Sequence, residues 1–273
     1  MKRLDFWLVT LVSVCALAAS VRAGAQDRTV VNCSAASLKR AVNRAAEGEK
    51  IIVRGTCAEE VVVKTDRIQI IGRNGATIQP PAEGIGITVL ADGVVIKNLV
   101  IIGGAVGIDI AAGASAQIKG NQIMDYTNAG IEIRANSNGL IDSNTLSNGS
   151  TNLAAINLVS SASAQLVGNT IDHVSGGYGV NIASTSSAFL ACNTISVSHP
   201  FFAGVSVSRT AQLGFAPDCP NTIANNDAVG KAIFCSQTSS IFAGADQNLT
   251  GTVDLAPNCE VVTLANVTFP PIN

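Results

Sequence analysis

The stretch GIEIRANSNGLIDSNTL, residues 130–146, decides the fold of this chain. Gly130-Ile131-Glu132-Ile133 alternates apolar and polar residues, and Leu140-Ile141-Asp142 does the same, which is the period-two pattern of half-buried strands. A third short segment, Thr145-Leu146, follows directly on Asn144. The asparagines, serine and glycine between the segments are turn formers. Three strands and their turns thus fit into one short unit with no room for a helix.

Moving outward, the unit recurs. Leu99-Val100-Ile101, Gln122-Ile123, Thr145-Leu146, Thr170-Ile171, Thr194-Ile195 and Thr222-Ile223 each follow an asparagine, at Asn98, Asn121, Asn144, Asn169, Asn193 and Asn221. The spacings are 23, 23, 25, 24 and 28 residues. A second column runs through Gly86-Ile87, Gly107-Ile108, Gly130-Ile131, Ala155-Ile156, Gly179-Val180, Gly204-Val205 and Ala232-Ile233, and it drifts together with the first. A period of 23–25 suits a leucine-rich repeat or a β-helix, but each unit has β-branched strands, little leucine and no helical stretch. The pattern predicts an all-β parallel β-helix solenoid of about seven to eight coils. Rungs about 4.8 Å apart then stack equivalent residues into a continuous aliphatic core. In the turn between the second and third strands, asparagine tolerates left-handed backbone and its amide can bond the amide of the next coil, so the column is structural.

Of the 273 residues 13% are charged and 47% hydrophobic, and the formal charge is −2 without a basic block, which argues against nucleic acid as a partner. Beyond the N-terminus no apolar run approaches the roughly 18 residues of a membrane span, which excludes a polytopic membrane protein. Lys2 and Arg3 precede an apolar stretch from Phe6 to Ala18 and the small residues Ala23-Gly24-Ala25, the form of a cleaved export signal over residues 1–25. Its removal leaves a net charge of −4 and six cysteines, Cys33, Cys57, Cys192, Cys219, Cys235 and Cys259. With no Cys-x-x-Cys or histidine cluster, an even number in an exported chain indicates disulfides and no metal site. The expected location is secreted or periplasmic, and the expected state a monomer without a transmembrane segment after cleavage.

The combination of asparagine column, Gly-Ile column and export signal resembles the right-handed parallel β-helix superfamily of pectate lyases and their exported relatives, over about residues 49 to 245. The resemblance implies a right-handed solenoid whose first sheet and adjoining loops form a sugar-binding groove. It implies no catalytic residues, because the Arg-x-Pro-x-x-Arg and Trp-Ile-Asp-His patterns of pectate lyases are missing. So is the Asn-Thr-Asp, Asp-Asp and Gly-His-Gly set of polygalacturonases.

Leu38, Ala41, Val42 and Ala45 fall at helical spacing after Ser34, an expected N-cap, and before Gly48, an expected stop. Residues 26–48 therefore read as a cap with one helix that plugs the N-terminal end. Lys50–Val53, Val61–Val63 and Ile68–Ile71 read as the first coil, residues 49–236 as the coils, and 237–273 as a tail covering the other end, where the register is lost. Cys192 lies one residue before Asn193 and Cys219 two before Asn221, so they belong on adjacent rungs and within bonding reach. Cys33–Cys57 then ties the helix to the first coil, and Cys235–Cys259 holds the tail.

In the Gly-Ile-x-Ile strands the isoleucines point inward and x points out, which stacks Thr88, Asp109, Glu132, Asn157, Asn181 and Ser206 into a polar stripe on the first sheet. Arg134 also points out. Asp109 and Glu132 on adjacent rungs place two carboxylates about 5 Å apart, as in retaining glycosidases. The same pair could hold Ca²⁺ and acidify a uronate proton, with Arg134 as base, in a lyase. Asp109, Glu132 and Arg134 are thus the candidate catalytic residues, and Ca²⁺ the one candidate cofactor, in the lyase alternative alone. Tyr126, Asn157, Asp172, His173, Tyr178, Asn181 and Ser206 are the candidate substrate-binding residues, from the stripe and the loops beside it. With the family motifs missing, the preferred reading is an exported, non-catalytic β-helix that binds glycan or a cell-surface partner through this stripe. The alternative is a polysaccharide lyase or glycoside hydrolase that uses the same stripe.

Overall fold

The computed structural model describes residues 28–150, 153–243 and 247–263. The expected export signal over residues 1–25, with Cys15, lies outside the described residues. The chain winds into three parallel sheets, the first of nine strands, the second of eleven and the third of nine, every strand paired with its equivalent one coil away. In the second and third sheets, successive strands include Asn138–Asp142 and Thr145–Ser147; the first sheet includes Ala129–Arg134.

Register follows from three inward aliphatic columns. On the first sheet Ile87, Ile108, Ile131, Ile156, Val180, Val205 and Ile233 stand opposite one another in turn. Ile70, Ile96, Ile118, Ile141, Leu166 and Leu190 do so on the second. On the third sheet the column is Ile78, Ile101, Ile123, Leu146, Ile171, Ile195 and Ile223. All are buried, and each contributes about 1.5–3 kcal/mol relative to exposure. A slip of one residue would turn a whole column out to water.

The asparagine column is a hydrogen-bonded ladder. Asn121 Nδ2 donates to Asn144 Oδ1 at 3.0 Å, Asn144 to Asn169 at 3.1 Å, Asn169 to Asn193 at 2.9 Å and Asn193 to Asn221 at 2.8 Å. Asn98 is not part of it. Val100 pairs with Gln122, so Leu99 occupies the ladder position and its N–H donates to Asn121 Oδ1 at 3.0 Å. The left-handed residue is also not the ladder asparagine but the one before it: Asn98, Gly120, Ser143, Gly168 and Cys192 all have φ between 55° and 62°. Asn98 thus matches the turn glycines, and the expected column was one residue out of step there.

Both ends differ from expectation. A strand Arg28–Asn32 precedes the helix and pairs with Lys50–Arg54. The helix spans Leu38–Arg44 with Ser37, not Ser34, as its N-cap, and it ends at Ala45 ahead of Gly48. Ser37 wins because its Oγ accepts the Arg40 N–H and donates to Glu59 Oε2, while Glu59 Oε1 accepts the Leu38 N–H. Leu38 and Val42 plug the core. Gln69–Gly72 stacks on Lys50–Arg54 and so opens the second coil, the first being completed by Thr56–Cys57 and Val61–Val63.

At the far end the register is not lost at Gln237. Ser240–Ala243, Asn248–Thr250, Thr252–Leu255 and Glu260–Thr263 continue the three stacks. The solenoid therefore has about ten turns, more than the seven to eight expected. Gln247 hides this continuation in the sequence: its Oε1 accepts from both N and Nδ2 of Asn221 at 2.8 Å, taking over the ladder from asparagine. The expected disulfides are all present, Cys33–Cys57, Cys192–Cys219 and Cys235–Cys259, with Cα separations of 5.0, 5.0 and 5.9 Å.

Candidate functional site

The outward stripe on the first sheet is continuous. Thr88, Asp109, Glu132, Asn157, Asn181 and Ser206 are register partners in that order, and the column runs on through Phe234 to Asp254. The solenoid holds them about 4.8 Å apart because neighbouring backbone strands fix that spacing.

Outward does not mean exposed. Asp109 is 0% exposed because the Arg134 side chain, reaching back over one rung, covers it. Arg134 Nε donates to Asp109 Oδ1 at 3.0 Å and Nη2 to Oδ2 at 2.8 Å, a bidentate pair. Glu132 Oε2 is 3.8 Å from Arg134 Nε, so the guanidinium bridges both carboxylates with Asp109 as its principal partner. Glu132 Oε1 accepts from Asn157 Nδ2 at 2.9 Å, and Asn157 Oδ1 accepts from Asn181 Nδ2 at 2.9 Å. Arginine, two carboxylates and two amides thus form one chain across four coils.

Burial raises the Glu132 pKa above its ordinary value; the Asn157 hydrogen bond opposes this, Asp109 adds to it and Arg134 opposes it. The hydrogen bonds that Arg134 donates to Asp109 raise the Arg134 pKa further, which keeps the guanidinium protonated.

Beyond Glu132 the stripe becomes the floor of a groove of about 380 Å³. Asn157, Asn181, Ser206 and Phe234 line its floor, Leu153 and Tyr178 the side where the strands begin, and Arg209 and Gln237 the side where they end. Of the expected binding residues, Asn157, Tyr178, Asn181 and Ser206 meet here. Tyr126 does not: its ring is fully buried among core residues, its phenol has no hydrogen-bond partner among the described residues, and burial pushes its pKa up. Tyr126 cannot stack on a ligand, because it fills the space beside Gly149, where a Cβ would come within 2.3 Å of its ring. Asp172 and His173 belong to the strand Thr170–Val174 of the third sheet, at a register irregularity, and not to a loop beside the stripe.

Tyr178 belongs to an aromatic edge whose phenylalanines went unread in the sequence. Tyr178 meets Phe202 edge-on at 5.0 Å between ring centres, and His199 lies 4.7 Å from Phe202 and 5.8 Å from Phe201. Phe201 is 81% exposed. Asn225 pins this turn by accepting the His199 N–H and donating to the carbonyls of His199 and Phe202. The signal was present in part: the register Ala232-Ile233-Phe234 places Phe234 in the stripe by the same rule that placed Glu132.

Among the described residues, the one group of histidine, cysteine and carboxylate ligands close enough to hold a metal is Cys33, Cys57 and Glu59, and its cysteines are joined in a disulfide. No helix of the described residues is long and apolar enough to cross a membrane. The three disulfides are compatible with an extracellular or periplasmic protein.

A three-sheet parallel solenoid with a groove on its first sheet defines a β-helix protein. The chain belongs to the right-handed β-helix family, whose model, described as "Right handed beta helix region", matches residues 50–244. No curated protein sequence matches it. Among solved structures it is similar to an alginate lyase from Paenibacillus sp. str. FPU-7, at 15% identity and TM-score 0.55, over 88% of this chain and 100% of that one. The major allergen Jun a 1 of cedar pollen shows 13% identity and TM-score 0.49, over 90% of this chain and 82% of that one. The A-module of a mannuronan C-5 epimerase from Azotobacter vinelandii shows 10% identity and TM-score 0.45, over 83% and 91%. At these identities the likeness is one of fold.

Proposed function

We propose that this chain is an exported glycan-binding β-helix that acts through the first-sheet groove without catalysing a reaction. One observation carries the reading: beyond Glu132 the stripe floors a groove lined by amides and a hydroxyl, whereas the Asp109 carboxylate is capped by Arg134. Asn157, Asn181 and Ser206 line the groove, and amide and hydroxyl groups donate to and accept from sugar hydroxyls equally well. Tyr178 supplies an apolar ring face with a polar tip at the groove's side. Asp109 has both oxygens held by Arg134 and no exposed surface, so it is not available as a nucleophile, general acid or metal ligand.

A second reading, polysaccharide lyase or glycoside hydrolase, is favoured by the raised pKa of Glu132, which suits a proton-exchanging group. In that reading Glu132, not the protonated Arg134, takes the proton. The test is a polysaccharide panel with the mature chain, with and without Ca²⁺, followed by calorimetry for binding and by unsaturated-uronate absorbance and reducing ends for turnover. The expected result is saturable binding without turnover, weakened about tenfold by Tyr178→Ala or Asn181→Ala, each removing a contact of about 1.4 kcal/mol. Turnover that disappears in Glu132→Gln would replace the binding reading with the enzymatic one.

A further inference from the structure

The amides on the groove floor have a direction, and Glu132 sets it. A carboxylate accepts hydrogen bonds and donates none, whereas an amide side chain does both, through different atoms. Glu132 Oε1 therefore requires the nitrogen of Asn157 against it, at 2.9 Å, which turns Asn157 Oδ1 towards the next coil. There Asn157 Oδ1 requires the nitrogen of Asn181, again at 2.9 Å, which leaves Asn181 Oδ1 at the far end of the chain. No group of the described residues donates to that oxygen. Reversing either amide would set one oxygen against another, and Asn157 is only 2% exposed, so little water reaches it to repair the loss.

Glu132 is held in its turn. Its Oε2 faces Arg134 Nε at 3.8 Å, which leaves Oε1 for Asn157, and Arg134 is anchored on Asp109. Among the described residues these are the charged groups that face it: Asp109 on the coil before and Arg134 on its own strand, while the coil after offers the neutral Asn157. Glu132 stands outside the groove, whereas Asn157 and Asn181 line it. Its effect on a ligand is therefore exerted through the two amides.

We propose that Glu132 is a positioning residue for the groove: its negative charge orients Asn157 and Asn181 so that the floor offers an acceptor oxygen at Asn181, and the groove selects ligands that place a free hydroxyl there over ligands whose hydroxyls are capped as ethers or esters. The selection rests on the glycan-binding reading; the orientation does not, because it is present without a ligand. A neutral carboxyl donates as well as accepts, so protonation of Glu132 removes the constraint on both amides. Burial, which raises the pKa of Glu132, moves that event towards neutrality.

The experiment is nuclear magnetic resonance of the isotope-labelled mature chain, first without ligand, in a titration from neutral to acid pH. The carboxyl carbons of Glu132 and Asp109 are followed together with the side-chain amides of Asn157, Asn181 and, as a control in the ladder, Asn144. Both groove amides should shift with the midpoint of the Glu132 carboxyl, while the Asn144 amide stays still. In Glu132→Gln that midpoint should vanish from Asn157 and Asn181, and an unmoved Asn144 amide shows that the variant is folded. No shift at Asn181, a midpoint shared with Asp109 instead, or a shift that persists in the folded variant would overturn the proposal. In a second arm, at neutral pH, ethylene glycol presents the vicinal hydroxyls of a sugar, and its dimethyl ether presents the same oxygens capped. At equal molarity ethylene glycol should move the Asn181 side-chain carbonyl carbon and the ether should move it much less, a preference that Glu132→Gln weakens. Equal shifts, or none with ethylene glycol, would overturn the selection. Because the titration needs no glycan, a positive result there beside an empty calorimetric panel would refute the glycan reading and keep the orientation.

Discussion

Replacing Asn144 with alanine tests the ladder at its centre. Asn144 Oδ1 accepts the backbone N–H of Asn121 at 2.9 Å and its side-chain amide at 3.0 Å. Asn144 Nδ2 donates to the Ile118 carbonyl at 2.8 Å and to Asn169 Oδ1 at 3.1 Å. Two neighbours survive the truncation: the Asn121 amide still donates to the Ile96 carbonyl, and Asn169 Oδ1 still accepts the residue 144 N–H. What is left without its side-chain partner is the buried Asn121 N–H and the Ile118 carbonyl. At about 1–3 kcal/mol for each such group, the loss should be about 2–4 kcal/mol, or about 5–15 °C in melting temperature for a chain of this size. The comparison variant is Asn98→Gly. Asn98 is exposed and left-handed, in register with Gly120, so its change should stay within about 0.5 kcal/mol. Urea unfolding followed by far-ultraviolet circular dichroism measures both. Equal losses, or a loss below about 0.5 kcal/mol for Asn144→Ala, would refute both the ladder's energetic role and its register.

Arg134→Gln should strand the buried Asp109 carboxylate and cost about 2–3 kcal/mol, below the range for fully buried pairs because the guanidinium is nearly half exposed to water. Adding Asp109→Asn should recover more than half of that in the same denaturation assay, and failure to recover would show that the pair is not coupled. Glu132, with its native pKa raised above 4.5, holds its proton longer in the folded than in the unfolded chain. Its contribution is therefore fully present below the unfolded pKa and is lost as pH rises through the native one. Glu132→Gln removes that dependence, so the melting-temperature difference from the parent should grow in the variant's favour from pH 4 to pH 7. A constant or opposite difference would contradict the raised pKa.

The repeat was readable because the residues that specify it act locally on their own coil. Ile131 and Ile133 face inward by strand alternation alone, and Cys192 and Cys219 inherit their proximity from the asparagines beside them. Reading failed where position depended on a partner in another coil. Nothing adjacent to Asp109 in sequence reveals that a guanidinium 25 residues later closes over it. Tyr126 looks like a surface loop aromatic until Gly149, one coil on, supplies the space into which its ring packs. The last coils escaped notice because Gln247 replaces the marker asparagine while preserving the hydrogen bonds. Asn98 misled for the opposite reason, carrying the marker residue at a position where only its backbone conformation is used.

Each coil touches only the one before and the one after it, so opening begins at the tips, where a coil has a single neighbour. Two of the three disulfides lie at those tips: Cys33–Cys57 at the start and Cys235–Cys259 across the last two coils. The groove is not centred on the molecule; its floor ends at Phe234, beside Cys235, in the strand to which the final coil is fastened. Reduction should therefore let the C-terminal coils fray and take one end of the groove with them, while amide exchange in the central rungs stays slow. In an oxidising compartment the Cys235–Cys259 bond holds the last coil in place, so the groove keeps that end only where the thiols are oxidised.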